Sequence, residues 1–181
     1  MRIIGNNIIL RFAEIDDASF IMNLRLDEQK TKYLSKVDED VSKQKTWLSD
    51  YKAREINGDE YYFVICNKEN IPCGTVRVYD FRNESFSWGS WLINSKIAPF
   101  TAGIESALLI YEFAFEHLNI NKCHFEVVTE NTKVRSFHEK MGAWVCSADK
   151  KKTYYNYDKS TYEKVRTKYI KHLPEREIVC E

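Results

Sequence analysis

The residues with the plainest capacity for chemistry lie between Glu105 and Ala143. The segment KCHFEVV, Lys122–Val128, alternates as a strand, with Cys123, Phe125 and Val127 on one face and His124 and Glu126 on the other. An imidazole and a carboxylate on one strand face are groups that can take up or pass on a proton near neutral pH. A few residues on, NTKVRSFHEKMG reads as an amphipathic helix that Asn131 caps and Gly142 closes, and it carries His138, Glu139 and Lys140.

Other chemistries find little support. The five cysteines (Cys66, Cys73, Cys123, Cys146, Cys180) are scattered and form no Cys-x-x-Cys pair, and the four histidines are equally dispersed. No metal site or disulfide framework is expected, and buried reduced thiols in a reducing compartment fit best. Basic and acidic side chains balance at 27 each, so net charge gives no reason to expect a nucleic-acid partner. Lys150–Lys152 ahead of Tyr154, Tyr155 and Tyr157 has the ingredients of a nucleic-acid platform, but it reads better as an exposed hairpin turn leading into a strand. There is no long apolar run to cross a bilayer, and MRIIGNNIILRF lacks the continuous apolar core of a signal peptide. The expected location is the cytoplasm, with no membrane partner.

The elements that must position these residues follow from periodicity. At 181 residues, 44% hydrophobic and 30% charged, the chain suits one domain with a filled core, drawn at residues 1–172 with a tail at 173–181. Strands are predicted at Asn7–Phe12, Tyr61–Cys66, Cys73–Phe81, Ser85–Ile93, Lys122–Val128, Ala143–Ser147 and Thr153–Tyr157. Helices are predicted after Asp16 or Asp17, over Lys43–Arg54, over Thr101–Leu118, over Asn131–Met141 and near Thr161–Lys171. The Thr101–Leu118 helix is apolar nearly all round and must be buried. Hairpins mixed with crossover helices give an α/β fold with a mixed sheet.

The segment ESALLIYEFAFEHLNINKCHFEVVTENTKVRSFHEKMGA resembles the central motifs of the GNAT superfamily of N-acetyltransferases. It looks most like the ribosomal-protein and nucleotide-amino-sugar branches, where a helix ending in "yaF-x-x-L" precedes a strand and an "eN-x-x-[ASV]-x-x-[FL]-[YLH]-E-K-x-G" helix. Asn131, Val134, Phe137, His138, Glu139, Lys140 and Gly142 occupy those positions. The resemblance implies a mostly antiparallel sheet of six to seven strands, flanked by helices and splayed between the fourth and fifth. It implies acetyl-CoA as co-substrate, with pantetheine beside Trp91, Leu92 and Ile93. It places the pyrophosphate at Thr101, Ala102, Gly103 and Ile104, with Asn131 on the amide arm and Lys140 near a phosphate. The pyrophosphate loop departs from the family pattern: Ala98-Pro-Phe-Thr-Ala-Gly103 keeps only the last glycine. A helix N-terminus can still hold phosphate through backbone N–H groups.

Acetyl transfer to an amine needs a neutral amine, a stabilised oxyanion and a proton for the departing thiolate. His138 stands where many relatives carry a tyrosine thought to protonate sulfur, so it is the candidate general acid or hydrogen-bond donor. Glu126 is a candidate base, with His124 as its rival on that face and a water chain as the third option. Acceptor recognition is expected from Arg25, Tyr33, Tyr79 and Trp88. YDFRNESFSWGSWLI and SFHEKMGA look similar to acetyltransferases acting on amino groups of nucleotide-linked deoxysugars in surface-polysaccharide synthesis. A protein α-amine is the alternative acceptor. A catalytically silent GNAT-fold binding module is the non-enzymatic alternative, and pairing into a homodimer is left open.

Overall fold

The computed structural model describes residues 1–27, 31–33 and 39–174. Its strands are β1 (Arg2–Ile4), β2 (Ile8–Phe12), β3 (Tyr61–Asn67), β4 (Pro72–Arg82), β5 (Ser85–Ile93), β6 (Lys122–Val128), β7 (Trp144–Ala148) and β8 (Lys152–Asp158). They form one sheet in the order β1-β2-β3-β4-β5-β6-β8-β7. Every neighbouring pair is antiparallel except β5 and β6, which run parallel. The expected six to seven strands thus become eight among the described residues. The addition is Arg2–Ile4, too short to show a period, which folds back on β2 through a turn closed by Gly5 N–H donating to the Ile8 carbonyl at 2.9 Å.

Both faces of the sheet are covered. Alternate residues of β2 and β3 divide between them: Ile8, Leu10, Phe63 and Ile65 enter the main core, while Ile9, Tyr62, Val64 and Cys66 enter a second one. The second core lies under α1 (Ala18–Leu26) and α2 (Val41–Ile56), through Ile21, Leu48 and Tyr51. Asp17 holds the capping position of α1, but its carboxylate serves Arg11 instead, through two bonds of 2.7 Å, and accepts Glu14 N–H at 2.8 Å.

The main core is built on α3 (Ala102–Glu112), buried through most of its length as its composition requires. The helix expected to run to Leu118 widens after Glu112 into one π turn, Phe113–His117, where Leu118 N–H reaches the Phe113 carbonyl at 3.0 Å. This turn keeps both Phe113 and Phe115 buried. Then come α4 (Thr132–Lys140) and α5 (Lys159–Lys168), the latter capped by Asp158 accepting Thr161 N–H at 2.7 Å. Tyr162, wholly buried on α5, donates its hydroxyl to Glu112 at 2.7 Å, and Arg166 pairs with the same carboxylate. Leu173 is buried in the main core, and most of the predicted tail lies outside the described residues.

Gly142 closes α4 at φ +91°, and a Cβ there would stand 2.7 Å from Thr161 Cγ2 on α5. Gly142→Ala is therefore expected to cost about 1–2 kcal/mol, from the left-handed backbone and the forced shift of α5 together. Urea denaturation checks this: a midpoint unchanged from the parent would show that the turn relaxes freely.

Candidate active site

Beyond the rungs Ser85↔Lys122 and Phe86↔Cys123, β5 and β6 have no further paired residues. Two irregularities in β4 and β5 flank the opening. Arg77 pairs with Gly89 but Thr75 pairs with Leu92, so β5 carries one extra residue, with Ser90 at φ +47°. Thr75 Oγ1 donates to the Ser90 carbonyl at 2.9 Å and pins this bulge. Nearer the hairpin, Tyr79 pairs with Ser87 and Arg82 with Ser85, which gives β4 an extra residue where Asp80 sits at φ +53°.

The gap between the strands holds a cavity of about 500 Å³. Of the residues singled out in the sequence, it brings together Tyr33, Tyr79, Trp88, Trp91, Leu92, Glu126, Asn131 and His138. Gly89, Ser90, Phe125, Val127, Val128, Val134 and Lys152 also line it, and the sequence assigns none of them a site role. The one signal in the sequence was Gly89 inside a strand, a common mark of a bulge.

The remaining candidates stand elsewhere. Thr101, Ala102, Gly103 and Ile104 form the start of α3, outside the cavity lining. They are tied to it through Gly103, where a Cβ would lie 3.8 Å from both Trp91 Cζ2 and Ile93 Cδ1. Ala102 N–H is taken by the Pro99 carbonyl at 2.9 Å, whereas the N–H groups of Gly103 and Ile104 have no partner among the described residues. Glu105 lies beside this turn without blocking it, because its oxygens are spent on Asn7, Ile8 and Thr101. Arg25 near the end of α1 and the exposed Lys140 at the end of α4 do not line the cavity.

His138 is only 5% exposed. Its ring centroid lies 4.3 Å from that of Phe125 and 5.3 Å from that of Trp88. Burial among these rings pushes its pKa down to about 4, so the imidazole is neutral at physiological pH. Proton donation by an imidazolium, half of the role expected for it, is therefore closed at neutral pH, and hydrogen-bond donation by the neutral ring remains open. Its Nδ1 and the indole Nε1 of Trp88 are both buried without partners among the described residues. Two orphaned polar atoms beside a cavity are what a polar ligand group would satisfy.

Glu126 is half exposed and ion-paired with Lys152 of β8. That ammonium occupies a carboxylate otherwise available to an amine. Asn131 accepts Val134 N–H at 3.3 Å as the cap of α4 while also lining the cavity. Trp91 Nε1 donates to Ser106 Oγ at 3.1 Å, which fixes the indole between β5 and α3. Among the described residues no helix is long and apolar enough to cross a membrane, and no group of His, Cys, Asp or Glu is placed to hold a metal ion.

A mixed sheet parted between its one parallel pair, with a buried helix starting at the gap, is the architecture of an acyl-transfer domain. The family model for the acetyltransferase (GNAT) domain matches residues 7–143, and the chain belongs to that family. It is an acetyltransferase. Over 96% of its length it is similar, at 43% identity and TM-score 0.88, to 99% of the chain of apo FdhC, a nucleotide-linked sugar GNAT. At the level of fold it also resembles the ribosomal-protein-S5-alanine acetyltransferase from Vibrio fischeri, with 14% identity, 87% and 96% of the two chains covered, and TM-score 0.74. The spermidine N-acetyltransferase from Vibrio cholerae, solved with CoA and spermine, gives 19% identity, 87% and 98% coverage, and TM-score 0.72. A comparison with curated protein sequences finds no match.

Proposed function

We propose that this acetyltransferase moves an acetyl group from acetyl-CoA to the amino group of a nucleotide-linked amino-deoxysugar, by direct attack with both substrates bound. The carrying observation is the 43% identity with a nucleotide-linked sugar GNAT over nearly the full length of both chains. The aromatic wall of Tyr33, Tyr79 and Trp88 agrees with it, since a sugar ring offers an apolar face that such side chains cover.

Acetyl-CoA supplies an activated thioester. Around it, Trp91, Leu92 and Ile93 form the strand edge for the pantetheine arm. The amides of Gly103 and Ile104, at the positive end of α3, suit a pyrophosphate. The parted strands, the orphaned nitrogens and these amides fit that molecule even though the loop lacks the usual glycines. Asn131 and Lys140 flank the arm and a phosphate. His138 keeps water away from the reacting carbon as part of the aromatic wall, and its neutral N–H serves the departing sulfur.

Two measurements test this. Acetyl-CoA at about 100 times its Kd is expected to stabilise the protein by about 2.7 kcal/mol. An unmoved melting curve would instead mark a fold kept without its chemistry. Turnover on a panel of amino-sugar nucleotides, set against short peptides and polyamines, is expected only with the sugars. Preference for a peptide α-amine would replace the acceptor proposed here.

A further inference from the structure

Resting on that acyl-transfer reading and deepening it, we propose that His124, oriented by Asp80 and reached through Ser85, takes the proton that the acceptor ammonium must lose before attack. His124 follows Cys123, the last β6 residue paired with β5, and so stands at the vertex of the wedge. Its Nδ1 lies 2.6 Å from Ser85 Oγ on β5, and its Nε2 lies 3.2 Å from Asp80 Oδ2 on β4. Three strands thus meet in one chain of hydrogen bonds at the floor of the opening: the three residues lie outside the cavity lining, directly beside Tyr79, Phe125 and Glu126, which are in it.

The tautomer follows from the partners. Arg82 donates to Asp80 through Nε at 3.0 Å and through a terminal nitrogen at 2.5 Å, and it holds that carboxyl below its ordinary pKa, so Asp80 only accepts. His124 Nε2 therefore carries the hydrogen, and Nδ1 is a bare lone pair that accepts from the Ser85 hydroxyl. The backbone is bent to make this contact. Asp80 sits at φ +53° at the extra residue of β4, and bulges beside active sites commonly re-aim one side chain. Aspartate is among the few residues that accept that conformation.

The proton path balances without a further reactant. The ammonium gives a proton to Ser85 Oγ as the Ser85 hydroxyl proton passes to His124 Nδ1. The resulting imidazolium faces the Asp80 carboxylate, and the freed amine lone pair forms the C–N bond; the C–S bond breaks with its electron pair left on sulfur, and the surplus proton of the new C–N nitrogen passes to that thiolate. The proton later leaves His124 for solvent. Glu126 shares the face of His124, roughly 7 Å along the strand, but it is ion-paired with Lys152. Lys122 of β6 shares the face too and is paired with Glu84, while Asn156 and Tyr154 of β8 stand opposite His124 and Glu126. Asp80 is the carboxylate in direct contact with the ring.

The test uses the full-length enzyme with an amino-sugar nucleotide that it turns over. His124→Gln and Asp80→Asn are expected to lower kcat/KM about 100-fold near neutral pH, with acetyl-CoA affinity unchanged. The loss is expected to shrink toward high pH, where the amine sheds its proton unaided. A loss that stays constant from neutral to alkaline pH, or no loss, overturns the relay. The second readout needs no acceptor. Nitrogen-15 NMR of the free protein should show His124 protonated at Nε2 and bare at Nδ1, and the opposite tautomer sinks the proposal even if the acceptor reading stands. Absence of turnover on every amino sugar, with the expected tautomer present, would sink only the acceptor reading.

Discussion

Glu105→Ala is expected to destabilise the protein by about 3 kcal/mol or more, lowering its melting temperature by roughly 10 °C. Glu105 is wholly buried in the first turn of α3. One of its oxygens accepts the N–H groups of Asn7 at 2.7 Å and Ile8 at 3.2 Å, and the other accepts Asn7 Nδ2 at 3.2 Å and Thr101 Oγ1 at 3.4 Å. The β1–β2 turn has no other acceptor for those amides among the described residues, so alanine orphans two backbone donors and opens a void against Gly5. Gly5 itself is specified by this contact, because a Cβ there would lie 2.4 Å from Glu105 Oε1. Glu105→Gln should lose less, since an amide oxygen can still receive Asn7 N–H and its NH2 can donate to Thr101 Oγ1, leaving Asn7 Nδ2 facing another donor. Thermal unfolding of the two variants tests the order. Equal and small losses would show that the turn is held by β1–β2 pairing alone.

His138→Phe is expected to remove a pH-dependent loss of stability that the parent shows on acidification. In the unfolded chain the imidazole takes its proton near 6.5, and in the fold only near pH 4. Between those values the unfolded state binds more protons, so stability rises with pH across that window and falls as acid is added. The contribution is full above pH 6.5 and shrinks by about 3 kcal/mol by pH 4. Phenylalanine fills the place between Phe125 and Trp88 without a titrating group, so the variant's stability should fall less from pH 7 to 4.5. Denaturation at the two pH values decides this, and equal losses in parent and variant would show that the pocket hydrates His138. The same pKa keeps the ring neutral from pH 6 upward, so an inflection in kcat/KM near 6.5 must come from another group. In the role proposed for His138 toward the departing sulfur, loss of its N–H is expected to lower kcat about 100-fold.

Much of the fold could be read from period and punctuation. The stretch from Ala102 to Phe115, apolar on nearly every face, could only be a buried helix, and β2 through β6 each alternate or run apolar between turn residues. The strand Arg2–Ile4 was missed because three residues carry no period, and the turn that returns it to β2 is bonded to Glu105, nearly a hundred residues away. The π turn at Phe113–His117 was invisible for a related reason: it is set by which faces of Phe113 and Phe115 the neighbouring rings accept.

The chemistry was legible as residue types and much less as roles. Alternation placed His124 and Glu126 together on one face, and that placement is local geometry. Which of them is free to act depends on partners distant in sequence, Asp80 and Ser85 for one and Lys152 for the other. Composition alone could not reveal that His138 is neutral, because its pKa is set by rings from β5, β6 and β8 closing around it.

By itself the sequence determined the order of elements, the buried helix and the family signature from Glu105 to Gly142, since these rest on periodicity, capping and near-neighbour spacing. Tertiary structure decided where β5 and β6 part, which side chains face the gap and which of them carry charge. Those properties arise from strand register, from two one-residue bulges and from burial, and each depends on contacts between segments that the chain brings together only by folding.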